Sequence, residues 1–238
     1  MRVALVALLF LAGVSAGGAA PRAVQVFVAL CDNDSQGIAP VNERIGDGDK
    51  PAANLYWGCS DGLASYFGRS SRWKLLKTER DVTPEILVRL HFRHVAEELT
   101  LTADAYRGTA LRSCLRAFEK ALVADEYQVV AFLGHNGLMD FALDPPARSA
   151  KKQPEAIVLC CKSEAYFRKR LEGLGARPIL LTDQYMYPGA FLLHDALEAW
   201  RSGHGRTEIR AAAGRAYAKN QKIGVRSATG VFTKLPEK

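Results

Sequence analysis

Short apolar runs bounded by turn residues alternate along this chain with stretches of helical spacing. The run VQVFVAL at 24–30 is β-branched and too short for a helix, so it reads as a buried strand. Strands are likewise predicted at 73–78, 100–106, 128–133 (QVVAFL), 156–160 and 177–182 (RPILLT). Helical spacing predicts helices over 57–67, 109–124 (apolar Leu111, Leu115, Phe118 and Leu122), 188–202 (Phe191, Leu197 and Trp200) and 207–219. A further helix starts at Ser163, a capping residue, and stops at Gly175. The stretch 87–94 is ambiguous, and 31–54, rich in Asp, Asn, Gly and Pro, reads as a long loop. Strands apolar on both faces alternating with helices predict one three-layer α/β domain, a mostly parallel sheet with helices on both faces.

Residues 1–20 stand apart from this pattern. Arg2, the apolar stretch VALVALLFLAGV (3–14) and the small-residue tract SAGGAA before Pro21 give the charge, core and cleavage order of a signal peptide. Cleavage is expected after Ala16, with Val14 and Ala16 as the small residues at the cut. The stretch falls short of the ~20 residues that a membrane-spanning helix needs. The expectation is an exported protein, secreted or periplasmic and not membrane-spanning, with its single domain at 21–238. The formal charge of +7 becomes +6 without Arg2, and its densest cluster, Arg168 to Arg170, lies inside a predicted helix. Charge spread in this way is a solvated surface, so no nucleic-acid partner is expected.

Candidate chemistry sits where two strands end. In open parallel sheets, working groups gather at the carboxyl ends of the strands. His135, between glycines in GHNG, ends the 128–133 run, and Cys161 ends the 156–160 run. Cys160, one step earlier, points to the opposite face and reads as packing. The free amides and dipole of the helix behind Cys161 would favour a thiolate. A neutral His135 could take the thiol proton, and the amides of the glycine-rich turn could hold an oxyanion.

These residues resemble the caspase-like cysteine peptidases, and within them legumain and its relatives. The family's strand ending in Asp-His-Gly, followed by Gly-x-Leu-x-Phe, is similar to Gly134-His-Asn-Gly-Leu-Met-Asp-Phe141. Its strand ending in Ala-Cys-Glu-Ser, followed by a helix, is similar to Cys160-Cys-Lys-Ser-Glu-Ala-Tyr-Phe167, and its Tyr-x-Gly to Tyr106-Arg-Gly108. The likeness covers roughly residues 100–200. It implies a caspase-like fold, Cys161 as nucleophile and His135 as general acid/base. The amide beside His135, in the Asn136-Gly137 turn, would join that of Cys161 as the oxyanion hole, and Gln184, in the loop 183–187, would line a pocket. The implied substrate is a peptide or protein, cleaved through an acyl-enzyme without a cofactor. Three departures stand beside it: Asn136 replaces a glycine, His135 and Cys161 are separated by little room for a crossover helix, and no acidic specificity residue is placed. They favour the alternative, a non-catalytic caspase-like module that binds a peptide or envelope component.

Other signals are weaker. Five cysteines leave at least one thiol unpaired internally, and Cys31 with Cys59, flanking the long loop, is the pairing expected if one forms. Asp32, Asp34, Gly37 and Glu43 approach a calcium loop, but a strand precedes it where a helix is required, so an Asp/Asn-rich turn is expected. His91 and His94 gather no further ligands, and no metal is expected. No GxSxG elbow, phosphate-binding loop or dinucleotide fingerprint appears.

Overall fold

The computed structural model describes residues 22–144 and 151–237. The expected signal peptide at 1–20 lies outside them. The apolar runs form strands β1 (Arg22–Ala29), β4 (Leu99–Tyr106), β5 (Val129–Leu133), β6 (Glu155–Leu159) and β7 (Arg177–Leu180), while β2 (Trp73–Arg80) and β3 (Ile86–His94) precede β4. All seven join one sheet in the order β2-β3-β4-β1-β5-β6-β7. The run from β4 to β7 is parallel, and β2 and β3 extend it antiparallel.

Side-chain alternation splits each central strand between two cores. Val24, Val26 and Val28 of β1 face α1 (Leu63–Arg69), α4 (Ala190–Arg201) and α5 (Arg206–Gln221). Phe27 and Ala29 face α2 (Leu111–Leu122) and α3 (Ser163–Gly173). The result is a single three-layer α/β domain, as the doubly apolar strands predict, and it is consistent with a caspase-like arrangement. Among the described residues no helix is long and apolar enough to cross a membrane.

Three local outcomes differ from or complete the sequence reading. The ambiguous 87–94 stretch is β3, which alternates buried and half-buried positions and pairs with a neighbour on each side. The helix predicted from residue 57 starts only at Leu63, because the Asn54 carbonyl accepts the amides of Trp57, Gly58 and Cys59 and closes a tight turn. Gly175 ends α3 as expected: at φ 72° it takes the left-handed position, and the Gly175 and Ala176 amides return to Glu172 and Leu171.

The long loop after β1 is fastened by one fully buried side chain. Asn54 Oδ1 accepts the amides of Cys31 and Tyr56, and its Nδ2 donates to the carbonyls of Cys31 and Asp47. Removing it orphans several buried backbone groups at once. Asn54→Ala should therefore lower unfolding free energy by about 2 kcal/mol or more, read as a shift of the urea midpoint.

Candidate active site

Parallel pairing fixes where the two strand tips lie. Leu133 of β5 stands opposite Leu159 of β6, and the Gly134 amide donates to the Leu159 carbonyl at 3.3 Å. His135 and Cys161, each two residues further on, therefore leave neighbouring strands level with each other on the carboxyl rim. Gly134 makes the exit at φ 150°, and a Cβ there would press on the Ala29 carbonyl. Asn136 then ties the tips together. Its Nδ2 donates to the Cys161 carbonyl at 2.8 Å while its Oδ1 accepts the Leu138 amide at 3.1 Å.

His135 is buried, and its Nε2 lies 2.8 Å from Asp140 Oδ2. The same carboxylate oxygen accepts the Gly37 amide at 3.0 Å, which couples the loop after β1 to the imidazole. With Nε2–H given to Asp140, Nδ1 carries the lone pair, and among the described residues it has no hydrogen-bond partner. An acid that orients a histidine in this way selects its tautomer. Sequence reading passed over Asp140, although it is present in the GHNGLMDF stretch only five residues from the histidine.

The cysteines separate as their parity predicts. Cys160 is fully buried under α3, and desolvation pushes its thiol well above the ordinary value. Cys161 is half-exposed. Its sulfur meets the Met186 backbone, accepting from the amide at 3.4 Å and donating to the carbonyl at 3.5 Å. Among the described residues His135 and Cys161 do not hydrogen-bond each other. Lys162, next in the chain, is held in the left-handed region at φ 51°, a conformation that costs a lysine about 1 kcal/mol.

Two details of the helix behind Cys161 correct the sequence reading. Ser163 does not cap α3: fully buried, it donates its hydroxyl to the Val158 carbonyl. The first helical amides are not free for a thiolate either, since Ser163 and Glu164 donate theirs to Thr182. Thr182 in turn donates to the Cys160 carbonyl, so the start of α3 is knotted to the end of β7.

The expected substrate-facing residues divide. The amides of Asn136 and Cys161 donate to nothing among the described residues. The Gly137 amide is committed to the His135 carbonyl at 3.0 Å, and a Cβ at Gly137 would strike Phe141 and Leu111. Gln184 is exposed, and its carbonyl accepts the Lys162 amide at 3.0 Å. Its neighbour Tyr185 lies under the Lys162 ammonium, 4.6 Å from ring centroid to nitrogen, so the loop after β7 forms a wall beside the sulfur.

The remaining candidates stay apart. All five cysteines are free thiols, so the expected Cys31–Cys59 bridge is not formed; Cys59 donates to the Ala53 carbonyl instead. Among the described residues no three of His, Cys, Asp and Glu gather as metal ligands. Asp32 caps its own turn by accepting the Asp34 and Ser35 amides. His91 pairs with Glu79 and His94 lies near Glu198, both far along the sheet from the rim that carries Cys161. No family model, curated protein or solved structure matches the chain.

Burial orders the reactivity of the thiols. Desolvation raises Cys31 from 9.0 to about 11 and lifts Cys114 and Cys160 well above the ordinary thiol value, so none of the three is readily ionised at pH 7. Cys59 is raised as well. Alkylation of the native protein at pH 7, mapped by peptide mass, should therefore modify Cys161 first and Cys59 next. Cys31 should react only as the pH approaches 11 or the chain unfolds, and the fully buried Cys114 and Cys160 only on unfolding.

Proposed function

We propose that the protein is an exported cysteine hydrolase, a peptidase of the caspase-like type acting through a Cys161 acyl-enzyme. The observation that carries this reading is the pairing of an oriented imidazole and a half-exposed thiol at level positions on one rim. His135 Nδ1 removes the thiol proton, Asp140 steadies the imidazolium, and the sulfur attacks the substrate carbonyl. The unengaged amides of Asn136 and Cys161 receive the developing oxyanion. His135 returns the proton to the leaving amine, and water then releases the acyl group from sulfur. Export through residues 1–20 belongs to the same reading.

A second reading is a non-catalytic module that binds a peptide in the same place. The engagement of the Cys161 sulfur by Met186, in place of His135, favours it. Digestion of a peptide library separates the two. The peptidase reading expects cleavage that falls on the order of a thousandfold in Cys161→Ala and at least tenfold in Asp140→Asn, with both variants folded. Identical digests from the parent protein and Cys161→Ala would remove the peptidase and leave the binding module.

A further inference from the structure

A second set of reactive side chains lies away from the Cys161 rim, where α1 packs on α4. Ser70 ends α1, its amide donating to the Phe67 carbonyl. Its Oγ lies 2.9 Å from His194 Nε2, and His194 Nδ1 lies 2.8 Å from Asp195 Oδ1. With Nδ1–H given to the Asp195 carboxylate, Nε2 is the basic nitrogen and accepts the Ser70 hydroxyl proton. The Arg72 amide donates to the same Oγ at 3.1 Å and fixes its rotamer. Tyr66 and Phe67 each stand edge-on to the imidazole, 5.4 Å between ring centres, and hold it in place.

The hydroxyl opens on space that a substrate could fill. A cavity of about 340 Å³ is lined by Tyr66, Arg69, Ser70, Ser71, Arg72 and His194, and it contains none of the residues of the cysteine site. The Ser71 amide donates to nothing among the described residues, and it immediately follows the serine, where acyl-transfer enzymes place an oxyanion donor. Among the described residues no carboxylate lines this cavity, although those of Asp195 and Glu198 touch its His194 and Arg72. Arg72 is paired with Glu198 at 2.8 Å; Arg69 has no carboxylate partner among the described residues, and its Nη2 donates to the Ser60 carbonyl at 2.7 Å.

We propose that Ser70, His194 and Asp195 form a second acyl-transfer site, which hydrolyses carboxylic esters whose acyl part carries a negative charge. Ser70 Oγ attacks the carbonyl carbon as its proton passes to His194 Nε2. The bond to the alcohol breaks, and the alcohol leaves with that proton. Water, deprotonated by the same nitrogen, attacks the acyl-serine and releases the acid. Asp195 is a positioning residue, and Arg69 supplies the charge that selects the acyl group.

A fluorophosphonate probe, followed by peptide mapping, tests the site independently of the thiol. Ser70 should be labelled in the parent chain and equally in Cys161→Ala. Labelling should vanish in Ser70→Ala and slow at least tenfold in Asp195→Asn, with recovery in Asp195→Glu. Asp195 is half-exposed at 42% of its side chain, so these variants keep the fold, checked by unchanged melting. The 4-nitrophenyl half-ester of glutaric acid should be cleaved faster than 4-nitrophenyl butyrate, and Arg69→Ala should abolish the difference. A folded protein whose Ser70 reacts no faster than its other surface serines overturns the site. Equal rates on the two esters overturn the substrate class.

Discussion

The in-register parallel pairing of β5 with β6 is the constraint on which the rest of the candidate active site depends. A parallel ladder delivers both carboxyl ends to the same rim, and the Leu133–Leu159 register sets His135 and Cys161 at the same height. A slip of one residue would turn every side chain of β6 to the other face, burying Cys161 under α3 and freeing Cys160. The register is held from both sides. Ile157 and Leu159 belong to one core and Ala156, Val158 and Cys160 to the other, so a slipped strand would mismatch two layers at once.

Beyond the strands, polar side chains take over from apolar packing. Asn136 bridges the two tips, Thr182 ties the start of α3 to β7, and Asn54 closes the loop beside β1. Each side chain is buried with its polar atoms hydrogen-bonded, which is the condition under which a buried polar group adds order without a large cost. The Gly37–Asp140–His135 chain extends this order to the imidazole. A loop with little apolar content is thereby linked to the imidazole through hydrogen bonds alone.

The two candidate sites differ in how they are built. The Cys161 centre is assembled from strand exits, where backbone geometry fixes the spacing and a left-handed Lys162 re-aims the chain. The Ser70 centre is assembled across a helix pair, its histidine braced by aromatic rings from α1. One depends on hydrogen-bonded ladders and the other on side-chain packing, so their geometries respond to different substitutions.

Local pattern alone determined most of the elements. Apolar runs marked β1, β4, β5, β6 and β7, helical spacing marked α2, α4 and α5, and parity separated Cys160 from Cys161. Strand-end chemistry also brought out His135 and Cys161, because a thiol and an imidazole at the ends of apolar strands break a short-range rule. Only the tertiary structure decided what depends on distant partners. β3 is a strand because β2 and β4 supply its ladder, and Ser163 turns inward because Val158 and Thr182 offer it better partners than its own helix. Asp140 gains its meaning from an imidazole and from an amide 103 residues away, and Ser70 meets His194 across 124 residues of chain. Hydrogen bonds at such separations leave no periodicity in a sequence, since the chain between the partners is free to vary.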